Sequence, residues 1–456
     1  MNPRVFREYD IRGVADRDFP DDFVRDLGRA IGTHLVEAGA RRIAVGRDCR
    51  VTSPRMHAAL LEGLLATPVH VVDVGIVPTP VLYFAPFHFD LDGGVQVTGS
   101  HNPPQDNGFK ILRGKSTIYS QEIQALRERV AARDFVAGRG TREERDVVRP
   151  YLDHAGSSLR LGARRPKVVV DAGNGTGGAV AVPLYRELGF DVVPLYCEMD
   201  GTFPNHHPDP TVEDNVADLR AAVARDGAEL GIAFDGDADR IGVMDARGRV
   251  VWGDQLMILF ARAILAEEPG ATFVSEVKCS QALYDEIVRA GGNAIMWKVG
   301  HSLIKAKMKQ VGAVLAGEMS GHIFFAHRYL GFDDAIYAGA RLLELLSCTD
   351  RTLDELVDTL PAAINTPEIR MDMPDDIKVE VVRRAVERFR RDRQVVDVVD
   401  IDGARILYAD GWGLVRASNT QPALVLRFEA RTAEALARIR EEVETALAAI
   451  RKELTA

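Results

Sequence analysis

Gly231-Ile232-Ala233-Phe234 runs directly into Asp235-Gly236-Asp237-Ala238-Asp239-Arg240, an apolar strand ending in a loop of alternating carboxylates. The same grammar occurs twice more. Gly94-Val95-Gln96-Val97 enters Thr98-Gly99-Ser100-His101-Asn102-Pro103, and Gly312-Ala313-Val314-Leu315 leads into Gly317-Glu318-Met319-Ser320-Gly321-His322. Upstream of each lies a first strand, at Ile43-Ala44-Val45, Val168-Val169-Val170 or Phe273-Val274. A polar loop, a helical stretch and a second strand follow it, the last at Val71-Val72, 192–195 or 294–297. The pattern predicts three similar α/β units with mixed sheets covered by helices, each placing one loop beyond its strand ends, where such folds bind ligands.

After about residue 362 the periodicity changes. Residues 368–373 alternate like a strand and 377–389 read as a helix. Three strand candidates follow, ending at 423–430, and a final helix carries Leu436, Ile439, Val443, Leu447 and Ile450 on one face. A fourth, α+β unit is expected. The division is 1–146, 147–249, 250–361 and 362–456, in keeping with a chain too long for one core.

With 46% hydrophobic and 27% charged residues the composition is that of a soluble protein, and a net charge of −10 argues against a nucleic-acid or membrane binder. Cys49, Cys197, Cys279 and Cys348 lie far apart with no CxxC spacing, so no zinc site or disulfide framework is indicated. The first eight residues lack the apolar core of a signal peptide and no later run approaches a membrane span, so a cytoplasmic location is expected.

In an extended loop the carboxylates of Asp235, Asp237 and Asp239 converge on a hard cation such as Mg²⁺ or Ca²⁺. An EF-hand would need Gly and Glu where Arg240 and Ala246 stand, so the calcium-module reading fails, and a solvated acidic turn is disfavoured by mutual repulsion. Ser100 alone reads as a turn residue. Its place after an apolar strand, with His101 beside it and Lys110 downstream, makes it a candidate nucleophile. G-x-S-x-G does not fit because position 102 is Asn. A phosphoryl acceptor suits a nearby Mg²⁺ better than an acyl acceptor would. Glu318 and Ser320 sit where side chains reach hydroxyls. Arg416, Ser418, Asn419 and Thr420 supply a guanidinium fork and neutral donors for phosphate.

Two other features compete. Gly173-Asn174-Gly175-Thr176-Gly177-Gly178 satisfies GxGxxG with Glu198 downstream, but Asp171 would face a pyrophosphate, so dinucleotide binding is rejected. Asn205-His206-His207-Pro208-Asp209-Pro210 has metal-ligand residue types, yet its prolines make it a rigid loop.

At these motifs the chain resembles the α-D-phosphohexomutase superfamily over essentially its full length, and within it the bacterial phosphomannomutase/phosphoglucomutase group. Residues 98–104 resemble its phosphoserine loop, 235–240 its metal loop, 317–322 its sugar loop and 416–420 its phosphate loop. Tyr9-Asp10-Ile11-Arg12-Gly13, Gly46-Arg47-Asp48 and Gly300-His301-Ser302 add further matches.

The resemblance implies four domains around a central cleft and a phosphorylated Ser100, with Mg²⁺ held by Asp235, Asp237, Asp239 and a phosphoserine oxygen. Arg12, His101, Lys110 and Arg240 are implied for proton handling or charge stabilisation. Tyr9, Lys278, Trp297, His301 and His322 would support the sugar phosphate. Glu318 and Ser320 would bind the 3- and 4-hydroxyls, which glucose and mannose present alike, so activity on both 1-phosphates is expected, through a hexose 1,6-bisphosphate. Glucose 1,6-bisphosphate is thus the expected activator, hexose phosphates are the partners, and no obligate protein partner is implied.

Met319 separates this pattern from phosphoglucosamine mutases, the nearest alternative. A Mg²⁺-dependent sugar phosphatase and a non-catalytic sugar-phosphate binder are the others. Ala238 stands where the family usually has Gly, Cys49 replaces a common Gly, and Gln255 a frequent Arg.

Overall fold

In a computed structural model that describes residues 2–418 and 422–455, the chain forms four sheets. The first contains β1 (Ile11–Val14), β2 (Arg42–Arg47), β3 (His70–Ile76), β4 (Gly93–Val97), β5 (Asp106–Arg113), β6 (Ser116–Thr117) and β7 (Thr141–Glu144), ordered β1-β5-β4-β2-β3-β7 with β6 beside β5. The second contains β8 (Val168–Asp171), β9 (Val192–Leu195), β10 (Leu230–Phe234), β11 (Ile241–Asp245) and β12 (Val250–Val251), ordered β12-β11-β10-β8-β9. The third contains β13 (Thr272–Glu276), β14 (Asn293–Trp297), β15 (Leu315–Gly317) and β16 (Ile323–Phe325), ordered β14-β13-β15-β16.

Within these sheets one pattern recurs, as β3-β2-β4-β5, β9-β8-β10-β11 and β14-β13-β15-β16. The first three strands are parallel and the fourth antiparallel. Helices Ser53–Leu65, Gly178–Glu187 and Gln281–Arg289 make the first crossover, and Thr79–His88, Ala217–Asp226 and His301–Val311 the second. Covered on both faces, the parallel strands are apolar without alternation, as Val168-Val169-Val170 shows. The turn from the third strand to the antiparallel fourth is the same place in every unit. There the serine, aspartate and glutamate loops lie.

One buried apolar cluster passes through all three units, joining Val72 and Val81 to Val168 and Ile232 and on to Phe273 and Leu342. The three therefore share a core rather than merely touching.

The last sheet is antiparallel throughout, with β17 (Ile364–Asn365), β18 (Ile369–Asp372), β19 (Asp397–Val399), β20 (Ala404–Tyr408), β21 (Gly411–Ala417) and β22 (Ala423–Ala430). It packs its own core against helices Lys378–Phe389 and Ala433–Thr455, with Ile439, Val443, Leu447 and Ile450 buried as their spacing predicted.

Two strand readings are corrected. Residues 312–314 are not strand: Gly312, at φ 64°, caps helix His301–Val311 by giving its N–H to Met308 O, so the third strand starts at Leu315. Four strands rather than three follow helix Lys378–Phe389, because β19 is only three residues long and carries too little pattern to register.

Candidate active site

Ser100 stands at the end of β4 with a positive φ of 50°, uncommon for a residue other than glycine and a form of backbone strain that collects at functional sites. Buried Arg50 holds it there. Its guanidinium donates to four carbonyls of the serine loop: Ser100 O at 2.7 Å, Asn102 O at 2.6 Å, Pro103 O at 2.5 Å and Asp106 O at 2.9 Å. Asp48 accepts the Gly99 N–H at 3.1 Å and pairs with Arg50 Nε at 3.2 Å. The Gly46-Arg47-Asp48 match is thus part of a clamp on the Ser100 backbone.

The hydroxyl of Ser100 donates to Asp235 Oδ2 at 2.8 Å, and His101 Nδ1 lies 3.1 Å from Ser100 Oγ. Burial, then Arg240 and Arg12, holds the His101 ring well below the ordinary imidazole range, which favours the neutral ring. Arg12 bridges Asn102 Oδ1 at 2.7 Å and Asp10 Oδ2 at 2.6 Å, fixing the far side of the loop.

Asp235, Asp237 and Asp239 are fully buried, with one oxygen from each within 4.8 Å of the others. Lys110 on β5 donates to Asp237 Oδ2 at 2.7 Å and to Asp239 Oδ2, and Thr79 Oγ1 donates to Asp237 Oδ2 at 2.5 Å. Burial works against the Lys110 ammonium, but Asp237 and Asp239 outweigh it and hold the proton more tightly than an ordinary lysine does. Asp235 is pushed well above the carboxylate range, by burial and then by Asp239 and Asp237. Asp237 Oδ1 and Asp239 Oδ1 are buried without a hydrogen-bond partner among the described residues. An all-oxygen donor set with two uncommitted buried oxygens and excess negative charge fits a hard divalent cation.

The third loop is tied to the second by Arg240 Nε, which donates to His322 Nε2 at 2.9 Å. Glu318 accepts the Gly300 N–H at 2.7 Å, while Ser320 is half-buried in the same turn. Tyr9 reaches over from the first unit, donating to Val299 O at 2.7 Å with its ring edge-on to His301. Gly300, at φ 128°, permits this approach, since a Cβ there would lie 2.4 Å from the tyrosine ring. Lys278 lies 3.7 Å from Glu276 and 3.5 Å from Glu368 of the fourth unit. Trp297 is half-buried under Lys307, whose ammonium is 4.2 Å above the ring.

Asp402 extends the chain of contacts to the fourth unit, accepting the Val299 N–H at 3.0 Å and pairing with Arg416 at 3.3 Å. Ser418 is buried beside Arg416, and Lys378 donates to its carbonyl at 2.7 Å. Asn419 and Thr420 lie outside the described residues. A continuous path of polar contacts therefore runs from Ser100 through Asp235, Arg240, His322 and Glu318 to the Val299-Gly300 backbone, and from there through Asp402 to Arg416.

The two competing sequence features buttress this site. Asp171 accepts from His206 Nε2 at 3.0 Å, so the carboxylate that made nucleotide binding unattractive is an internal ion-pair partner. Thr176 N–H donates to Gly236 O at 3.1 Å, a Cβ on Gly175 would lie 2.6 Å from that oxygen, and one on Gly236 would lie 2.5 Å from Ser100 O. The glycines let three backbones stack closely beneath the serine. His207 contacts His101 O at 2.6 Å. Arg50 and Thr79 carried no readable sequence signal of their own, because they act through contacts with distant segments rather than through a spaced motif.

Four family models match this chain in order: phosphoglucomutase/phosphomannomutase alpha/beta/alpha domain I over residues 3–137, domain II over 149–248, domain III over 252–364 and the C-terminal domain over 368–446. The chain belongs to the phosphoglucomutase/phosphomannomutase family. A phosphomannomutase/phosphoglucomutase of Pseudomonas aeruginosa PAO1 is 46% identical over 448 residues, covering 98% of this chain and 96% of that protein. A phosphoglucomutase of Neisseria gonorrhoeae is 44% identical over 446 residues, covering 97% and 96%. The crystal structure of a phosphoglucomutase/phosphomannomutase family protein from Burkholderia thailandensis superposes with a TM-score of 0.93 at 43% identity, covering 98% of each chain.

Against the phosphoglucomutase/phosphomannomutase pattern the departures now have places. Ala238 does adopt the left-handed conformation, at φ 58°, and its buried methyl faces Gly177, where a second Cβ would come within 3.0 Å. Gln255 accepts the Trp252 N–H at 3.0 Å and so caps helix Gly253–Glu267 instead of reaching a phosphate. Burial pushes the Cys49 thiol up to about 12, so it is held as an unreactive thiol.

Proposed function

We infer that this chain is an isomerase that converts α-D-glucose 1-phosphate and α-D-mannose 1-phosphate reversibly to their 6-phosphates. The observation that carries the reading is Ser100 Oγ, 2.8 Å from Asp235 in a buried carboxylate cage that shares Lys110. Phospho-Ser100 gives its phosphoryl group to the free 6-hydroxyl of a hexose 1-phosphate. The bond from phosphorus to Oγ breaks as the bond to the sugar oxygen forms, producing the 1,6-bisphosphate. After the sugar reorients, its 1-phosphate returns to Oγ and hexose 6-phosphate leaves. Asp235, Asp237, Asp239 and a phosphoserine oxygen would hold Mg²⁺, which supplies Lewis-acid neutralisation of phosphoryl charge when bound.

The remaining roles belong to the chain. His101 Nδ1, 3.1 Å from Oγ, is placed to hold the serine proton. Lys110, Arg240 and Arg12 offset charge on the transferring group. Tyr9, Lys278, His301, Glu318, Ser320 and His322 orient the hexose. Arg416 and Ser418, with Asn419 and Thr420, grip the distal phosphate. Burial of Ser100 excludes water, which limits hydrolysis of the phosphoserine. No helix of the described residues is long and apolar enough to cross a membrane, in keeping with a cytoplasmic enzyme acting on small hexose phosphates.

The test is turnover of the glucose, mannose and glucosamine 1-phosphates with Mg²⁺ and a trace of glucose 1,6-bisphosphate, wild type beside Ser100→Ala, recording 6-phosphate and free phosphate. Glucose and mannose 6-phosphates formed by wild type and lost in the variant are expected. Mainly free phosphate would move the chain to a sugar phosphatase, and preference for the glucosamine substrate to a phosphoglucosamine mutase.

A further inference from the structure

Asp333 is fully buried and lies outside every motif read from the sequence. Lys305 Nζ donates to its Oδ1 at 2.7 Å. Its other oxygen, Oδ2, faces two imidazoles, with His301 Nδ1 and His322 Nδ1 each 3.4 Å away. The rings are stacked at 5.5 Å between centroids and 14° between planes. These contacts are long for hydrogen bonds, yet Asp333 Oδ2, His301 Nδ1 and His322 Nδ1 are buried with no hydrogen-bond partner among the described residues. A few tenths of an ångström would close both, and leaving them open would strand three buried polar atoms.

The tautomer of His322 follows from its opposite edge. Arg240 Nε is only a donor, so His322 Nε2, at 2.9 Å, must offer its lone pair and the ring proton must sit on Nδ1, toward Asp333. The same protonation argues against Asp239, His322 and Asp333 as a second metal trio, although their ligand atoms lie within 4.8 Å of one another. Burial holds the His301 ring below the ordinary imidazole range, so it too is a neutral ring whose tautomer must be chosen.

We propose that Asp333 is a positioning residue that fixes the Nδ1–H tautomer of both His301 and His322. Both Nε2 lone pairs are thereby turned away from the carboxylate, that of His322 toward Arg240. Replacing Asp333 with asparagine keeps the shape but can present an N–H₂ where Oδ2 accepts. Each ring would then have to move its proton to Nε2, and in His322 that places a donor against the Arg240 donor.

Full-length protein labelled with ¹⁵N-histidine, with the two rings assigned from His301→Gln and His322→Gln, reports the tautomers directly in long-range ¹H–¹⁵N spectra at fixed neutral pH. Wild type is expected to show protonated Nδ1 and unprotonated Nε2 in both rings. Asp333→Asn is expected to move the proton in at least His322, and to lower kcat about 100-fold or more at an unchanged thermal midpoint, as when an orienting carboxylate becomes an amide elsewhere. Unprotonated Nδ1 of His322 in wild type, which the metal-trio reading requires, overturns the proposal. So does a variant that keeps both tautomers or the wild-type kcat. If the variant does not fold, the wild-type spectrum still decides.

Discussion

One ammonium group sits between two of the three buried carboxylates of the aspartate loop. Because Lys110 contacts both Asp237 and Asp239, Lys110→Met leaves two interior charges without their nearest partner while largely filling the volume. The loss should be about 3–5 kcal/mol without divalent cation. A cation that binds the same carboxylates restores part of that, so Mg²⁺ should raise the melting temperature of the variant more than that of wild type. Thermal unfolding of both proteins with EDTA and with millimolar Mg²⁺ measures the difference; equal shifts would contradict the coupling to Lys110, and no shift in either protein would contradict a cation site at these residues. Residues of this kind divide by how they were legible. The aspartates announced themselves by alternation over five positions, whereas Arg50 and Asp333 act through contacts with distant segments, which leave no local pattern.

The loops could be read in the sequence because each follows an apolar strand that loses its pattern abruptly at the sheet edge, as at Phe234 to Asp235. Third-strand boundaries were less legible, since Gly312 looks the same whether it opens a strand or closes a helix. Asp334 acts through contacts no local pattern shows: it caps helix Ala335–Ser347 by accepting the Tyr337 N–H at 2.8 Å. It also accepts from Tyr151 at 2.9 Å and Tyr329 at 2.8 Å, and burial raises its carboxyl from 3.8 to about 6. The folded state therefore keeps a proton that the unfolded chain releases. That contribution is complete below about pH 4 and is lost as pH rises through about 6, worth up to about 3 kcal/mol. Asp334→Asn cannot ionise, so the stability of wild type relative to the variant should fall between about pH 4 and pH 7. Denaturant melts of the pair across that range test it, and a gap that does not change with pH would show that Asp334 stays charged in the fold.

At the scale of the whole molecule the first three units share a core and the fourth is docked by a separate device. Buried Arg405 donates to Cys279 O at 2.7 Å and to Val277 O, Arg427 donates to Lys278 O, and Trp412 lies 3.9 Å beneath the Arg405 guanidinium with its Nε1 on Glu429 at 2.9 Å. Two arginines of the fourth unit thus hold three successive carbonyls around Lys278, so docking and the placement of a site lysine are one event. Trp412 joins Val277 and Leu414 in a small apolar cluster at this junction, apart from the fourth unit's own core. Trp412→Ala should therefore weaken docking without dissolving that core, at a cost of about 3–5 kcal/mol. The expected result is a separate, earlier unfolding transition and faster proteolysis in the exposed connection at residues 361–363. KM for the hexose 1-phosphate should rise about tenfold or more, since Arg416 and Lys278 lose their common frame, whereas among the described residues the cage around Ser100 draws none from the fourth unit. Calorimetry, limited proteolysis and steady-state kinetics on the same preparation separate the possibilities. A single cooperative transition with unchanged cleavage would mean that the fourth unit melts with the others, and that the remaining contacts across the junction, such as Asp402 with Val299 and Lys278 with Glu368, suffice to hold it in place.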